Sequence, residues 1–145
     1  MKRIAIASIS AGLLAVAIAA PASGGVMSPV GQVYAPKDCH TPKIEPHRIV
    51  FACADFGVMA KRLQWSEWGG EKAKGTGELW VNSCDPSCSD GNFDKYDIKL
   101  TLLNVRSYEC DGQTLDMYRR AHIRFPGEKP PHANGFRSYK MFCDE

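Results

Sequence analysis

Apolar and polar residues alternate with a period of two over much of the second half of this chain. Leu115, Met117, Ala121, Ile123 and Phe125 fall on one side of the repeat, and Asp116, Tyr118, Arg120, His122 and Arg124 on the other. Successive strand side chains point to opposite faces, so this pattern predicts a half-buried strand over 115–125. A second strand is expected over 96–102, with Tyr96, Ile98, Leu100 and Leu102 opposite Asp97, Lys99, Thr101 and Leu103. Residues 48–53 are apolar enough for a central strand, and 58–65 alternate loosely before the Gly69-Gly70 turn. In 74–82, Gly75 and Gly77 share the face of Leu79 and Val81, leaving room for a bulky neighbour. Trp65 or Trp68 is the residue expected to cover them. A loop over 126–135 and a short strand over 136–142 complete the pattern. No stretch of ten or more residues carries a helical period. Six strands at this spacing predict an all-β fold, a small antiparallel sandwich or barrel.

The N-terminus reads differently. Met1-Lys2-Arg3 precedes an apolar or small-residue run from Ile4 to Ala20, and Ala20-Pro21-Ala22 supplies the small residues of a cleavage site. These are the marks of a secretory signal peptide over 1–22. The run approaches the ~20 residues that span a bilayer, but its Ala/Gly/Ser content and the Pro-Ala-Ser-Gly-Gly exit favour cleavage over anchoring. The mature chain is expected to be secreted, with no transmembrane segment, a flexible arm over 23–38 and a single domain over 39–145. Lys2 and Arg3 leave with the leader, so the remaining Lys and Arg balance the 16 Asp and Glu. A neutral chain gives bulk charge no part in binding nucleic acid or a membrane surface.

All six cysteines, Cys39, Cys53, Cys84, Cys88, Cys110 and Cys143, lie beyond the leader. An even number in a small exported domain predicts a disulfide framework rather than a zinc site. If successive strands simply reverse, Cys53, Cys84 and Cys88 gather at one end and Cys39, Cys110 and Cys143 at the other. Three per end cannot all pair, so either the arm carrying Cys39 folds back or one strand assignment fails. Among the 15 pairings, Cys39–Cys53, Cys84–Cys88 and Cys110–Cys143 is favoured.

Four segments occur in a fixed order: Ala52-Cys53-Ala54-Asp55, then Leu63-Gln64-Trp65-Ser66-Glu67-Trp68-Gly69, then Gly75-Thr76-Gly77, then Asn82-Ser83-Cys84-Asp85-Pro86-Ser87-Cys88. In these the chain resembles small secreted proteins of actinobacteria, which carry A-C-A-D, L-x-W-x-x-W-G, G-x-G and N-x-C-x-P-x-C segments. The resemblance covers roughly Cys39 to Cys110. It implies export and a shared fold, and it brings no activity and no catalytic residues. Cys143 lies outside it.

Candidate chemistry is sparse. Trp65, Trp68 and Trp80 could form an aromatic platform for a sugar or peptide, although core packing is the favoured reading of the first two. Tyr118, Arg120, His122 and Arg124 could form an anion-binding strip, because guanidinium forks suit phosphate and carboxylate. An ordinary solvated sheet face is the favoured reading there too. Asp90-Gly91-Asn92-Phe93-Asp94 lacks the later Gly and Glu of a calcium loop and reads as an acidic turn. His40, His47, His122 and His132 show no ligand spacing, and no nucleotide fingerprint occurs, so neither metal nor cofactor is expected. The expected function is a non-enzymatic binding module for an envelope or extracellular protein or glycan. The alternatives are a small secreted hydrolase using Asp55, Glu67 or His122, and a secreted protease inhibitor built on the Cys84–Cys88 loop.

Overall fold

The computed structural model describes residues 31–90 and 92–143. The signal peptide over 1–22 and the first part of the arm lie outside the described residues. Two short strands come first, β1 (Ala35–Pro36) and β2 (Pro42–Lys43), paired antiparallel. Six more follow: β3 (Arg48–Val50), β4 (Val58–Glu67), β5 (Lys72–Asn82), β6 (Phe93–Cys110), β7 (Gln113–Arg124) and β8 (Ser138–Lys140). They form one antiparallel sheet in sequence order. The fold is the expected all-β one, a curled meander.

Turn chemistry sets the hairpins. β6 and β7 keep one register from Lys99 opposite Arg124 to Cys110 opposite Gln113. The two residues between them, Asp111 and Gly112, both have positive φ, 51° and 67°. That is the backbone of a two-residue primed turn, which Asp-Gly suits. β6 therefore runs well past the 102 boundary expected from alternation.

The concave face of the sheet holds the core. Ile49, Leu63, Leu79, Ile98, Leu100 and Leu102 are each at most 2 % exposed, and burying such a side chain contributes about 1.5–3 kcal/mol. β4 and β5 approach closely here. A Cβ on Gly75 would lie 2.7 Å from the Gln64 carbonyl and 2.9 Å from the Trp65 ring, and one on Gly77 2.7 Å from the Lys61 carbonyl. Trp65 thus covers Gly75 as expected, whereas Gly77 is covered by Leu63 and the backbone of a bulge at Arg62 (φ 53°).

Residues 33–37 bridge β3, the first strand of the sheet, to β7. The Tyr34 amide donates to the Asp116 carbonyl (2.9 Å), and the Tyr118 amide donates to the Tyr34 carbonyl (3.0 Å). On the other side the Val50 amide donates to the Lys37 carbonyl (3.2 Å). Val33 and Ala35 are buried, so the last part of the expected arm belongs to the packed domain. β3, expected to be central, is instead the first strand of the sheet. Its apolar sequence follows from this cover, together with the stacking of Phe51 on Tyr139 of β8 at 4.4 Å.

The disulfides are Cys39–Cys53, Cys84–Cys88 and Cys110–Cys143. The returning N-terminal segment resolves the odd count at each end. It brings Cys39 to Cys53, leaving Cys84 to its neighbour Cys88. Among the described residues no helix is long and apolar enough to cross a membrane.

Candidate functional site

The expected strip of Tyr118, Arg120, His122 and Arg124 divides in the structure. Arg120, His122 and Arg124 are exposed on β7, while Tyr118 is fully buried. Register explains the split. β6 and β7 stay paired without offset on both sides of Asn104 and Arg119, at Leu103 opposite Arg120 and at Val105 opposite Tyr118. Side-chain direction nevertheless slips by one residue on both strands. Tyr118, Ala121 and Ile123 join the main core with Val105, whereas Leu115 and Met117 pack with Cys110 and Cys143 in a separate cluster. Asn104, with φ 63°, marks the slip. Strict alternation therefore misplaced Tyr118 with the arginines and Leu115 and Met117 with Ala121.

Tyr118 holds the β4–β5 turn. Its hydroxyl accepts from the Gly69 amide (3.2 Å) and donates to the Gly70 carbonyl (3.0 Å). Burial pushes this phenol's pKa upward. Trp68 packs edge-on against Tyr118 at 5.3 Å and against Trp65 at 4.6 Å. The two indoles donate to backbone carbonyls, Trp65 to Pro46 (3.0 Å) and Trp68 to Val33 (2.9 Å). Both are partly buried against the core. Trp80 lies on the opposite, outer side of β5, packed in a small cluster with Met59 and Phe93. The ammonium groups of Lys61 and Lys95 sit 3.9 and 4.4 Å from its ring centre. The three tryptophans therefore do not form one platform.

The outer face of β6, β7 and β8 is basic. Lys99 stands opposite Arg124, and Arg120 stands between Leu103 and Lys140. His122 lies between Thr101 and Ser138 in the middle row. Like charges directly opposite one another are destabilising across strands. None of Lys99, Arg120, Arg124, Arg137 and Lys140 has an ion-pair partner among the described residues. A depression of about 410 Å³ is lined by Thr101, His122, Arg124, Arg137 and Ser138. A second, of about 210 Å³, lies between Asn104, Arg106, Arg119, Arg120 and Lys140. Four cations missing from the sequence reading thus join the face, Arg106, Arg119, Arg137 and Lys140. The consecutive Arg119-Arg120 was the available signal, but strict alternation placed the two on opposite sides.

The carboxylates of the hydrolase alternative are not brought together. Asp55, before β4, accepts from the Gly57 amide (2.9 Å). Glu67, at the far end of β4, pairs with Lys74 at 2.7 Å, and that hydrogen bond holds its carboxyl below the usual range. A ten-residue strand separates them by roughly 33 Å. The Cys84–Cys88 loop is exposed over most of its length. Ser87 Oγ donates to the Asp90 carboxylate at 2.9 Å, so Asp90 acts as a turn former. Among the described residues no group of three or more His, Cys, Asp or Glu is arranged to hold a metal ion. Compared with family models, with curated protein sequences and with solved structures, the chain matches none.

Proposed function

We propose that this chain is a secreted, non-enzymatic binding module whose ligand-facing surface is the basic outer face of β6, β7 and β8. The carrying observation is the set of cations opposed across strands, Lys99 with Arg124 and Arg120 with Lys140, without a carboxylate partner among the described residues. Such a face costs stability on its own, and an anionic ligand would offset that cost. The leader pattern over 1–22 and the three disulfides support export, since such bonds persist in oxidising compartments. The ligand is therefore an anionic polymer of the envelope or extracellular space, an acidic glycan above all. Near-zero net charge does not oppose this, because Arg124 and Arg137 line one depression, and Arg106, Arg119, Arg120 and Lys140 the other, with no carboxylate in either lining.

The test is retention of the oxidised mature chain on immobilised acidic polysaccharide, with neutral dextran as the control. Retention that falls steeply with salt, and falls at least tenfold in a K99Q/R120Q/R124Q/K140Q variant, is expected. Equal retention on dextran, or an unaffected variant, would overturn the reading.

A further inference from the structure

The small depression at the slip between β6 and β7 differs from the rest of the basic face. Its five lining residues are Asn104, Arg106, Arg119, Arg120 and Lys140, four cations and no carboxylate. Regular alternation would send Arg119 and Arg120 to opposite sides of the sheet. The slip brings both to one side, and bulges characteristically re-aim side chains in this way. Lys140 arrives from β8 because it pairs with Arg120. Arg106 arrives from β6, one residue beyond Val105, which pairs with Tyr118.

Arg119 is held in place. Its Nε donates to the Met141 carbonyl at 2.9 Å, and its guanidinium lies 3.8 Å from the Tyr108 ring centre. Stacking fixes the plane of the fork and leaves its terminal nitrogens for a ligand. Arg106 makes only a 3.4 Å contact from Nη1 to its neighbour's carbonyl, that of Val105. None of the four cations is ion-paired among the described residues. A volume of about 210 Å³ corresponds to roughly seven waters at ~30 Å³ each. That is room for a compact polyatomic anion together with part of the unit that carries it.

We propose that this depression is an anchor site for a single tetrahedral oxyanion, a phosphate or sulfate group borne by the ligand. The proposal rests on the reading of the outer face as the binding surface, and it adds a discrete site and a headgroup to it. Three arginine forks and an ammonium around one small volume offer donors in several directions. A tetrahedral oxyanion with its terminal oxygens pointing in several directions uses them, whereas a planar carboxylate meets one fork at a time. The rest of the face, through Lys99 and Arg124, then holds the remainder of the polymer.

The experiment is titration of the oxidised mature chain with inorganic phosphate, sulfate and acetate. It is followed by calorimetry and by NMR of the arginine Nε–Hε resonances. Phosphate or sulfate is expected to shift Arg119 and Arg120 and to bind at least tenfold more tightly than acetate. The stronger of the two names the ester. R120Q/K140Q, and separately the exposed R106Q, should each weaken that binding at least fivefold with a thermal melt no lower than the wild type's, since removing opposed like charges relieves repulsion. K43Q/R48Q, which removes two charges elsewhere, should leave it within twofold. Absence of a shift at Arg119 and Arg120, or equal losses in all three variants, would overturn the site. If acidic polysaccharide is still retained in that case, the face reading stands and only the anchor fails. If no anion is bound at all, both fall.

Discussion

Replacing Tyr118 with Phe removes one oxygen from a fully buried side chain and leaves its ring and volume in place. Two hydrogen bonds disappear, one from the Gly69 amide and one to the Gly70 carbonyl. A buried hydrogen bond contributes about 0.5–1.5 kcal/mol net. Gly70 is exposed, so its carbonyl recovers water and its share is at the low end. Gly69 is half-buried, and its amide loses more. The sum is about 1.5 kcal/mol. Unfolding entropy near 2.1 cal/mol/K per residue over a domain of about 110 residues converts this to a fall in Tm of roughly 5–7 °C. Scanning calorimetry under oxidising conditions measures it. On a solvated strand face the same substitution would change stability by less than ~0.5 kcal/mol. A Tm within 2 °C of the wild type would therefore refute both the turn clamp and the side-chain slip that buries it. Tyr139→Phe is the internal comparison. Its buried Oη has no hydrogen-bond partner among the described residues, and burial drives its pKa strongly upward. Removing that oxygen should leave Tm unchanged or raise it by a few degrees.

The disulfides should contribute unequally. Loop-closure entropy gives about 3.7 kcal/mol for Cys110–Cys143, which closes 33 residues, and about 1.9 kcal/mol for Cys84–Cys88, which closes 4. Guanidinium titration of the paired Cys→Ser variants should recover that order. Under mild reductant the exposed Cys84 and Cys88 should be alkylated before the buried Cys110 and Cys143, as peptide mass mapping would report. Gly77→Ala should destabilise by about 1–3 kcal/mol, because its Cβ would meet the Lys61 carbonyl at 2.7 Å; a neutral melt would contradict the close approach of β4 and β5. The Glu78 carboxyl lies below its ordinary value of 4.5, chiefly through the hydrogen bond from Trp80 and then the one from Arg62. A depressed carboxylate stabilises the fold above its unfolded pKa and loses that contribution as pH falls through the folded one. Stability should thus hold above pH 4.5 and decline below it, with Trp80 fluorescence changing in step; E78Q should remove that step.

Alternation made the sheet legible in the sequence because each strand buries one face, and a period of two is what burial on one face imposes. It could not reveal the slip at Asn104 and Arg119. Both strands shift together, the register stays intact, and the residues on either side still alternate when counted separately. The anion site followed the same limit. Arg106, Arg119 and Lys140 come from three strands, and only the slip makes them neighbours. The edge position of β3 was hidden for another reason. Residues 33–37 cover it, so Ile49 and Val50 are as buried as central-strand residues would be. The pairing of the cysteines was accessible because their odd count at each end left two choices, a returning arm or a failed strand assignment, and the returning arm is the one observed.

That returning segment has a kinetic consequence. Residues 33–37 are synthesised before the rest of the sheet, yet Tyr34 bonds to β7 about 80 residues later in the chain. Closing so long a loop must wait until β7 exists, so the nascent meander passes through a stage in which the edge of β7 that meets Tyr34 is unpaired. Unpaired edges invite pairing with other chains. The step that seals this fold is therefore also the one that ends its exposure to self-association, and the interval before it is set by chain length rather than by any local turn.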